Sequence, residues 1–202
     1  MPDRMGKMTY SFFAFISRMK YIRRWALMRN NSPENVQEHS HMTAVLAHAL
    51  AVIRRDVFGG QADPGRAAAA ALFHDATEII TGDMPTPVKY HNPEIKTAYR
   101  QVEGLARHKL ISTLPAALRP EYQRVFSDAD GELRDLVKAA DTLSAYIKCQ
   151  EELKAGNSEF RQACRQTREK LAAMQLPEVD YFLEHFSGAF ELTLDELNFS
   201  ID

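Results

Sequence analysis

Cysteine is scarce in this sequence: Cys149 and Cys164 are the only two among 202 residues. They lack the spacing of metal-binding cysteines, so we expect reduced thiols in a cytoplasmic protein. We expect no secretory leader, since no apolar run with a cleavage site follows the N-terminal charges, and no apolar run is long enough to cross a bilayer. The formal net charge of −2 gives no strong field to attract a membrane surface or a nucleic acid polymer.

Strand-like alternation never persists for more than a few residues, and repeats, low-complexity tracts and flexible linkers are absent. Helical periodicity instead runs from end to end, which predicts an all-α fold in one domain, residues 1–202. Asn35 and Glu38 form a predicted capping box at the start of the second helix, whereas 82–87 is a predicted loop because it contains two prolines. The first predicted helix runs from residue 12 to about residues 23–25. The others cover approximately residues 36–58, 67–73, 93–111, 132–155, 160–174 and 179–190, with short helices between 115 and 126.

Four residues from three predicted helices have the chemistry of a metal site: His39, the adjacent His74 and Asp75, and Asp141. Each has an ordinary alternative, because a histidine can be a core residue and Asp141 can pair with an Arg or Lys of a neighbouring helix. As a set they are harder to explain by chance, since helical bundles build internal metal sites from facing helices. Two imidazoles and two carboxylates neutralise a borderline dication and leave positions open for water and substrate.

Glu78 follows His74 by four residues and Asp75 by three. If the helix continues, this spacing places all three side chains on one face. The alternative for Glu78 is a solvent-facing charge beyond the helix end. Beside a metal ion, Glu78 would be placed to move the proton of an attacking water.

The order His, His-Asp, Asp resembles that of the HD-domain metal-dependent phosphohydrolases. A closer resemblance, to the bacterial HD-domain 5′-deoxynucleotidases, extends over nearly the whole chain. It implies an HD-domain helical bundle with short connecting helices that hydrolyses deoxyribonucleoside 5′-monophosphates. The segments that carry it are 24–30 (RWALMRN), 34–40 (ENVQEHS), 74–78 (HDATE), 81–90 (TGDMPTPVKY, the most specific) and 138–141 (KAAD), followed by similarity at 146–149, 156–157 and 180–182.

This resemblance implies a role for each candidate residue. The metal ligands would be His39, His74, Asp75 and Asp141, while Glu78 would be the catalytic acid or base and Arg24 would orient the phosphate. The substrate-binding residues would be Arg24, Trp25, His39, Asp75, Asp83, Met84, Pro85, Thr86 and Asp141. From the residues alone, Arg24 could be a surface base, Trp25 a packing residue and Asp83 a turn cap.

The expected cofactor is one divalent transition metal, Co2+ or Mn2+, with Zn2+, Ni2+ or Fe2+ as alternatives. The expected partner is a small-molecule nucleotide. The resemblance also implies a homodimer, for which Phe182, Phe186 and Phe190 could form an interface unless they are core residues. Two other functions stay open: an HD phosphohydrolase for a cyclic nucleotide or a triphosphate, and a non-catalytic helical module that binds a nucleotide.

Overall fold

A computed structural model describes residues 9–89, 92–131 and 133–197. Over these residues the only β-type pairing is an isolated bridge between Arg23 and Asn35, so the prediction of an all-α fold is confirmed. Short 3-10 helices at Ser17–Tyr21, Ala116–Leu118, Ser158–Phe160, Ser187–Glu191 and Asp195–Leu197 extend or connect the α-helices. The α-helices are α1 (Phe12–Ile16), α2 (Val36–Asp56), α3 (Pro64–Leu72), α4 (Glu78–Thr81), α5 (Thr86–Lys89), α6 (Pro93–Ser112), α7 (Arg119–Asp130), α8 (Arg134–Lys154), α9 (Arg161–Ala173) and α10 (Pro177–His185).

The larger hydrophobic core lies where α2, α3 and α8 pack together. Leu50 of α2 and Leu143 of α8 are fully buried there. Three alanines of α3, Ala67, Ala70 and Ala71, are also buried. Alanine favours helix and projects only a methyl group, so the neighbouring helices can approach α3 closely. This packing brings together the helices that carry or precede the predicted metal ligands.

A second hydrophobic cluster holds the N-terminal segment against α6 and α7. Phe12 and Met19 pack there with Leu110, Leu114 and Phe126. The segment was predicted as one helix from residue 12 to about residues 23–25, but α1 is followed by a 3-10 helix that ends at Tyr21, so Arg24 and Trp25 lie outside the helix. Met19 lies in this 3-10 helix and is buried in the cluster.

The start of α2 has the predicted capping box. The Asn35 side chain accepts hydrogen bonds from the backbone N–H groups of Gln37 and Glu38, while the Glu38 carboxylate accepts one from the Asn35 N–H. This cap fixes the first helical turn and therefore the position of His39. None of the helices in the described ranges is long and apolar enough to span a lipid bilayer.

The segment that was predicted as a loop over 82–87 is partly helical. Gly82 has a φ of 73°, in the left-handed region that suits glycine, and it ends α4. The chain has no regular structure up to Pro85, and α5 then begins at Thr86. Pro87 does not prevent this helix because it lies in the first turn, where no intrahelical N–H donor is required.

Candidate functional site

The predicted metal ligands come from three places in the bundle. His39 lies in the first turn of α2, and Asp141 lies in the middle of α8. His74 and Asp75 lie in the turn between α3 and α4 rather than inside a helix. Because α2, α3 and α8 share one core, these three places face each other.

The side chains of all four residues meet at one point. His39 Nε2 is 3.1 Å from Asp141 Oδ1 and 3.6 Å from Asp75 Oδ2. His74 Nε2 is 3.0 Å from the same Asp75 oxygen. One ligand atom each of His39, His74 and Asp141 lies within 4.8 Å of the others, a separation that could hold a metal ion. Imidazole nitrogens and carboxylate oxygens fit a borderline divalent cation, so the donor set is suitable for the predicted metal.

The two imidazole rings are fixed by hydrogen bonds at their Nδ1 atoms, which face away from the cluster. His39 is fully buried, and its Nδ1 lies 3.1 Å from Ser144 Oγ on α8. His74 Nδ1 donates to the backbone carbonyl of Ala71 in the last turn of α3, at 2.6 Å. Both rings thus turn Nε2 toward the cluster, the arrangement that outer hydrogen bonds produce at metal-binding histidines.

Mutual attraction within the cluster shifts the pKa values of its members. Burial opposes ionisation, but the imidazole of His74, followed by His39 and Arg24, outweighs it and holds the pKa of Asp75 well below its ordinary value. Burial likewise opposes the charge of His74, but Asp75 and then Asp141 raise the pKa of His74 to about 9. For Asp141, the hydrogen bond and charge of His39 outweigh burial and lower the pKa. The carboxylates are therefore ionised at neutral pH and can attract a cation.

Glu78 is a second buried acid beside this cluster. It is the first residue of α4, only 7% of it is exposed, and its Oε2 has no hydrogen-bond partner in the part of the chain that the structure describes. Burial, and then the charges of Asp75 and Asp83, raise the pKa of Glu78 to about 10. Such a carboxyl group keeps its proton at neutral pH until a cation or substrate changes its surroundings.

Arg24 reaches the cluster from the loop before α2. The bridge between Arg23 and Asn35 holds this loop, and the Arg24 N–H donates to the Glu34 carbonyl at 3.0 Å. Arg24 Nη1 lies 3.5 Å from Asp75 Oδ2. Burial lowers the pKa of Arg24, but Asp75 and other nearby carboxylates outweigh it and raise this pKa. Arg24 is therefore a part of the cluster and not a solvent-exposed base.

Of the other predicted substrate residues, His39, Asp75 and Asp141 belong to the cluster itself, and Asp83 lies near enough to interact with Arg24 and Asp75. Trp25 is partly buried, and its ring centroid is 5.3 Å from that of Phe160. Burial raises the pKa of Asp83, although Arg24 opposes this shift. The remaining predicted residues, Met84, Pro85 and Thr86, follow Asp83 along the chain; Met84 and Pro85 are partly buried, and the Thr86 side chain lies outside the described residues.

Comparison with known proteins identifies the family. The model of the "5′-deoxynucleotidase YfbR-like" family matches residues 11–190. The chain belongs to the YfbR-like family. It is 48% identical to a 5′-deoxynucleotidase of Vibrio parahaemolyticus over 93% of this chain and 97% of that one. It is 49% identical to a 5′-deoxynucleotidase of Yersinia pestis, which it matches over 93% of this chain and 96% of the other.

Solved structures with the same fold include HD-domain phosphohydrolases. One from Listeria innocua superposes with a TM-score of 0.77 at 22% identity, over 89% of this chain and 88% of that one. The HD phosphohydrolase DatZ of cyanophage S-2L, described as bound to dA and one catalytic Zn2+ ion, gives a TM-score of 0.63 at 23% identity, over 93% and 100% of the two chains. These likenesses confirm the predicted HD-domain bundle for this YfbR-like chain.

Among the residues that contact the site without a predicted role are Ser144 and Glu34, and also Thr43, whose hydroxyl lies 3.4 Å from His39 Nε2. Ser144 contacts His39. The sequence could have indicated this contact, because Ser144 follows Asp141 by three residues and so lies on the same face of the helix. Glu34 contacts Arg24 and Trp25. A glutamate before a helix cap usually faces solvent, so its sequence position gave no such signal.

Proposed function

We propose that this YfbR-like chain is a metal-dependent 5′-deoxynucleotidase, which hydrolyses deoxyribonucleoside 5′-monophosphates to deoxynucleosides and phosphate. The observation that carries the proposal is the meeting of His39, His74, Asp75 and Asp141 at one point, with Arg24 3.5 Å from Asp75. The names of relatives that are nearly half identical over nearly the whole chain support the same reaction.

We propose His39, His74, Asp75 and Asp141 as the ligands of one divalent transition metal. Two neutral imidazoles and two carboxylates would balance the charge of a dication. A bound metal would supply Lewis acidity, which neutralises charge on the phosphoryl oxygens and makes hydroxide available near neutral pH. Co2+ and Mn2+ are our first candidates, and Zn2+ belongs among the alternatives because such a site suits it equally well.

Arg24 is proposed to bind and orient the phosphate. Its guanidinium group is planar and can donate two parallel hydrogen bonds to phosphate oxygens. The contact with Asp75 directs it toward the proposed metal position. Holding the monoester there, in line with the attacking water, lowers the barrier mainly by positioning and by neutralising charge.

Glu78 is proposed to transfer the proton. In the ligand-free protein, burial and neighbouring carboxylates keep it protonated. A dication among His39, His74, Asp75 and Asp141 would favour the ionised form. The Glu78 carboxylate would then accept a proton from the attacking water and could donate it to the leaving 5′-oxygen.

The sugar and base are proposed to bind beside Trp25 and the segment from Asp83 to Thr86. An indole ring placed near the 2′ position of the sugar would leave no room for a hydroxyl group. An apolar wall rejects an added hydroxyl by only about a hundredfold, so the preference for deoxyribose should be moderate unless a polar contact adds to it. The Asp83 carboxylate could accept a hydrogen bond from a sugar hydroxyl.

Phosphate release from a panel of nucleotides tests this function. The protein is stripped of metal by chelation and assayed with Co2+, Mn2+ or Zn2+ against dAMP, AMP, a cyclic nucleotide and a triphosphate. Metal-dependent release from dAMP with little from AMP is the expected result. If phosphate is released preferentially from the triphosphate or the cyclic nucleotide, that nucleotide and not the deoxynucleoside monophosphate is the substrate. If no nucleotide releases phosphate, the result favours a non-catalytic nucleotide-binding module.

We further propose that the protein forms a homodimer in the cytoplasm. Phe182 is buried in the core, whereas Phe186 is 46% exposed and is the better interface candidate. Light scattering coupled to gel filtration would measure the mass against 22.9 kDa for one chain. A monomer at micromolar concentration would contradict the dimer without affecting the proposed reaction.

A further inference from the structure

We propose that Glu34 is a positioning residue that sets Arg24 for the phosphate and Trp25 for the sugar with a single carboxylate. This inference rests on the proposed function. Glu34 Oε2 accepts a hydrogen bond from Arg24 Nε at 3.0 Å and a second from Trp25 Nε1 at 2.9 Å. One oxygen thus joins the two side chains that would contact different parts of a deoxynucleotide.

The backbone at Trp25 is shaped for this contact. Neighbouring residues of an extended chain point to opposite sides, so their side chains do not normally reach the same atom. Trp25 has a φ of 56°, in the left-handed region that non-glycine residues rarely adopt. Its carbonyl accepts hydrogen bonds from the Met28 N–H and from Asn30 Nδ2, which hold the turn in place. An unfavourable conformation that several contacts maintain beside a candidate active site points to a functional requirement.

The contacts of Arg24 leave part of its guanidinium group for a ligand. Nε donates to Glu34, and Nη1 faces Asp75 at 3.5 Å. Among the described residues neither contact uses Nη2, which therefore keeps its two protons for an oxyanion. With carboxylates on two sides, the planar group has one orientation, and its Nη2 edge is the part that can meet a phosphate.

Glu34 is itself fixed to the helix that carries a proposed metal ligand. Its carbonyl accepts from the Arg24 N–H, and the next residue, Asn35, caps α2 and pairs with Arg23. His39 lies five residues after Glu34, in the first turn of α2. Through Glu34, the phosphate-binding and sugar-binding side chains are held at a set distance from the proposed metal position.

Kinetics with dAMP test this role. Glu34→Ala removes both hydrogen bonds and should lower kcat/KM about 10- to 100-fold, the usual effect of losing hydrogen bonds to a charged group. Glu34→Gln keeps an acceptor oxygen at the same reach and should lose less than Glu34→Ala. In an Arg24→Ala background, Glu34→Ala should lower kcat/KM by less than it does alone, because the part of its effect that acts through Arg24 is already lost and only the part through Trp25 remains.

An equal fall in both backgrounds would overturn the proposal, as would a Glu34→Ala enzyme with unchanged kcat/KM. The matched control is Glu121→Ala, which removes a carboxylate from an exposed ion pair with Arg124 on α7 and should leave kcat/KM unchanged. Melting temperatures of all variants identify any that fail to fold. If Glu34→Ala does not fold, the comparison of Glu34→Gln in the two backgrounds decides the question.

Trp25 is the only tryptophan in the sequence and reports on the contact without any assay of activity. Releasing its indole N–H from Glu34 should shift the fluorescence of Glu34→Ala to longer wavelength and increase quenching by acrylamide. Unchanged emission and quenching would refute the contact itself. If the wild-type protein hydrolyses no nucleotide but this spectral change occurs, the proposed function fails while Glu34 still positions Trp25.

Discussion

Glu152 of α8 gives the sharpest test of how this fold is held together. It is 1% exposed. Its carboxylate accepts hydrogen bonds from the backbone N–H groups of Asn31 and Ser32, from Asn157 Nδ2 and from Lys148 Nζ. One buried carboxylate on α8 therefore anchors the loop that runs from Trp25 to α2.

The pKa of Glu152 sets the size of its contribution. Burial alone would raise this pKa, but the hydrogen bonds from Lys148, Ser32 and Asn31 outweigh it and lower the pKa to about 2 from 4.5. The difference corresponds to about 3 kcal/mol of folding free energy at neutral pH, at 1.36 kcal/mol for each pKa unit. Because the folded-state pKa is the lower one, this stabilisation is present above about pH 4.5 and disappears as the pH falls toward about 2.

Urea unfolding of the wild type and Glu152→Gln at two pH values measures this contribution. We expect the free energy of unfolding of the variant to be about 3 kcal/mol lower than that of the wild type at pH 7, which is the usual effect of breaking a buried ion pair. At pH 3 we expect about half this difference. Glu121→Gln, which removes an exposed charge, is the control and should behave like the wild type at both pH values. A loss of the same size at pH 7 and pH 3 would show that the charge of Glu152 is not what anchors the loop.

Substitutions at the site should separate metal binding, proton transfer and sugar selection. Ser144→Ala removes the hydroxyl 3.1 Å from His39 Nδ1 and should weaken metal affinity about 10- to 100-fold in a chelator competition; unchanged affinity would exclude this role. Glu78→Gln should retain metal but lower kcat about 10²- to 10⁴-fold in phosphate release, and full activity would remove Glu78 from proton transfer. Trp25→Ala should reduce the ratio of kcat/KM for dAMP and AMP, by up to about a hundredfold; a constant ratio would place sugar selection elsewhere.

The long helices could be predicted because their own sequences determine them. The range predicted for the second helix, 36–58, differs from α2 only at its end, since the Asn35 cap fixes its start locally. The range 132–155 contains α8 for the same kind of reason: apolar residues recur on one face along its whole length. The short elements were predicted less accurately than the long helices. Both α5 and the 3-10 helix after α1 depend on tertiary contacts that no local sequence pattern encodes.

The four proposed ligands could be chosen from the sequence because their order resembles that of the HD-domain phosphohydrolases, although each side chain alone has an ordinary alternative. The carboxylates that support the site could not. In the sequence Glu34 and Glu152 look like ordinary surface charges, and two of the partners of Glu152, Asn31 and Ser32, lie about 120 residues away. Their burial is a property of the assembled bundle, so only the folded chain reveals it.

The point at which α3 ends also determines the chemistry of a residue beyond it. Carbonyl groups in a last helical turn have no donor four residues further along, and the Ala71 carbonyl instead accepts hydrogen bonds from the backbone N–H of His74 at 3.3 Å and from its Nδ1–H at 2.6 Å. A neutral imidazole bound in this way has its lone pair on Nε2, the tautomer that a cation requires. In the ion-free protein His74 keeps a second proton because its pKa is about 9, and this proton, on Nε2, is the one that a cation would displace. The end of α3 therefore determines which nitrogen of His74 can become the ligand.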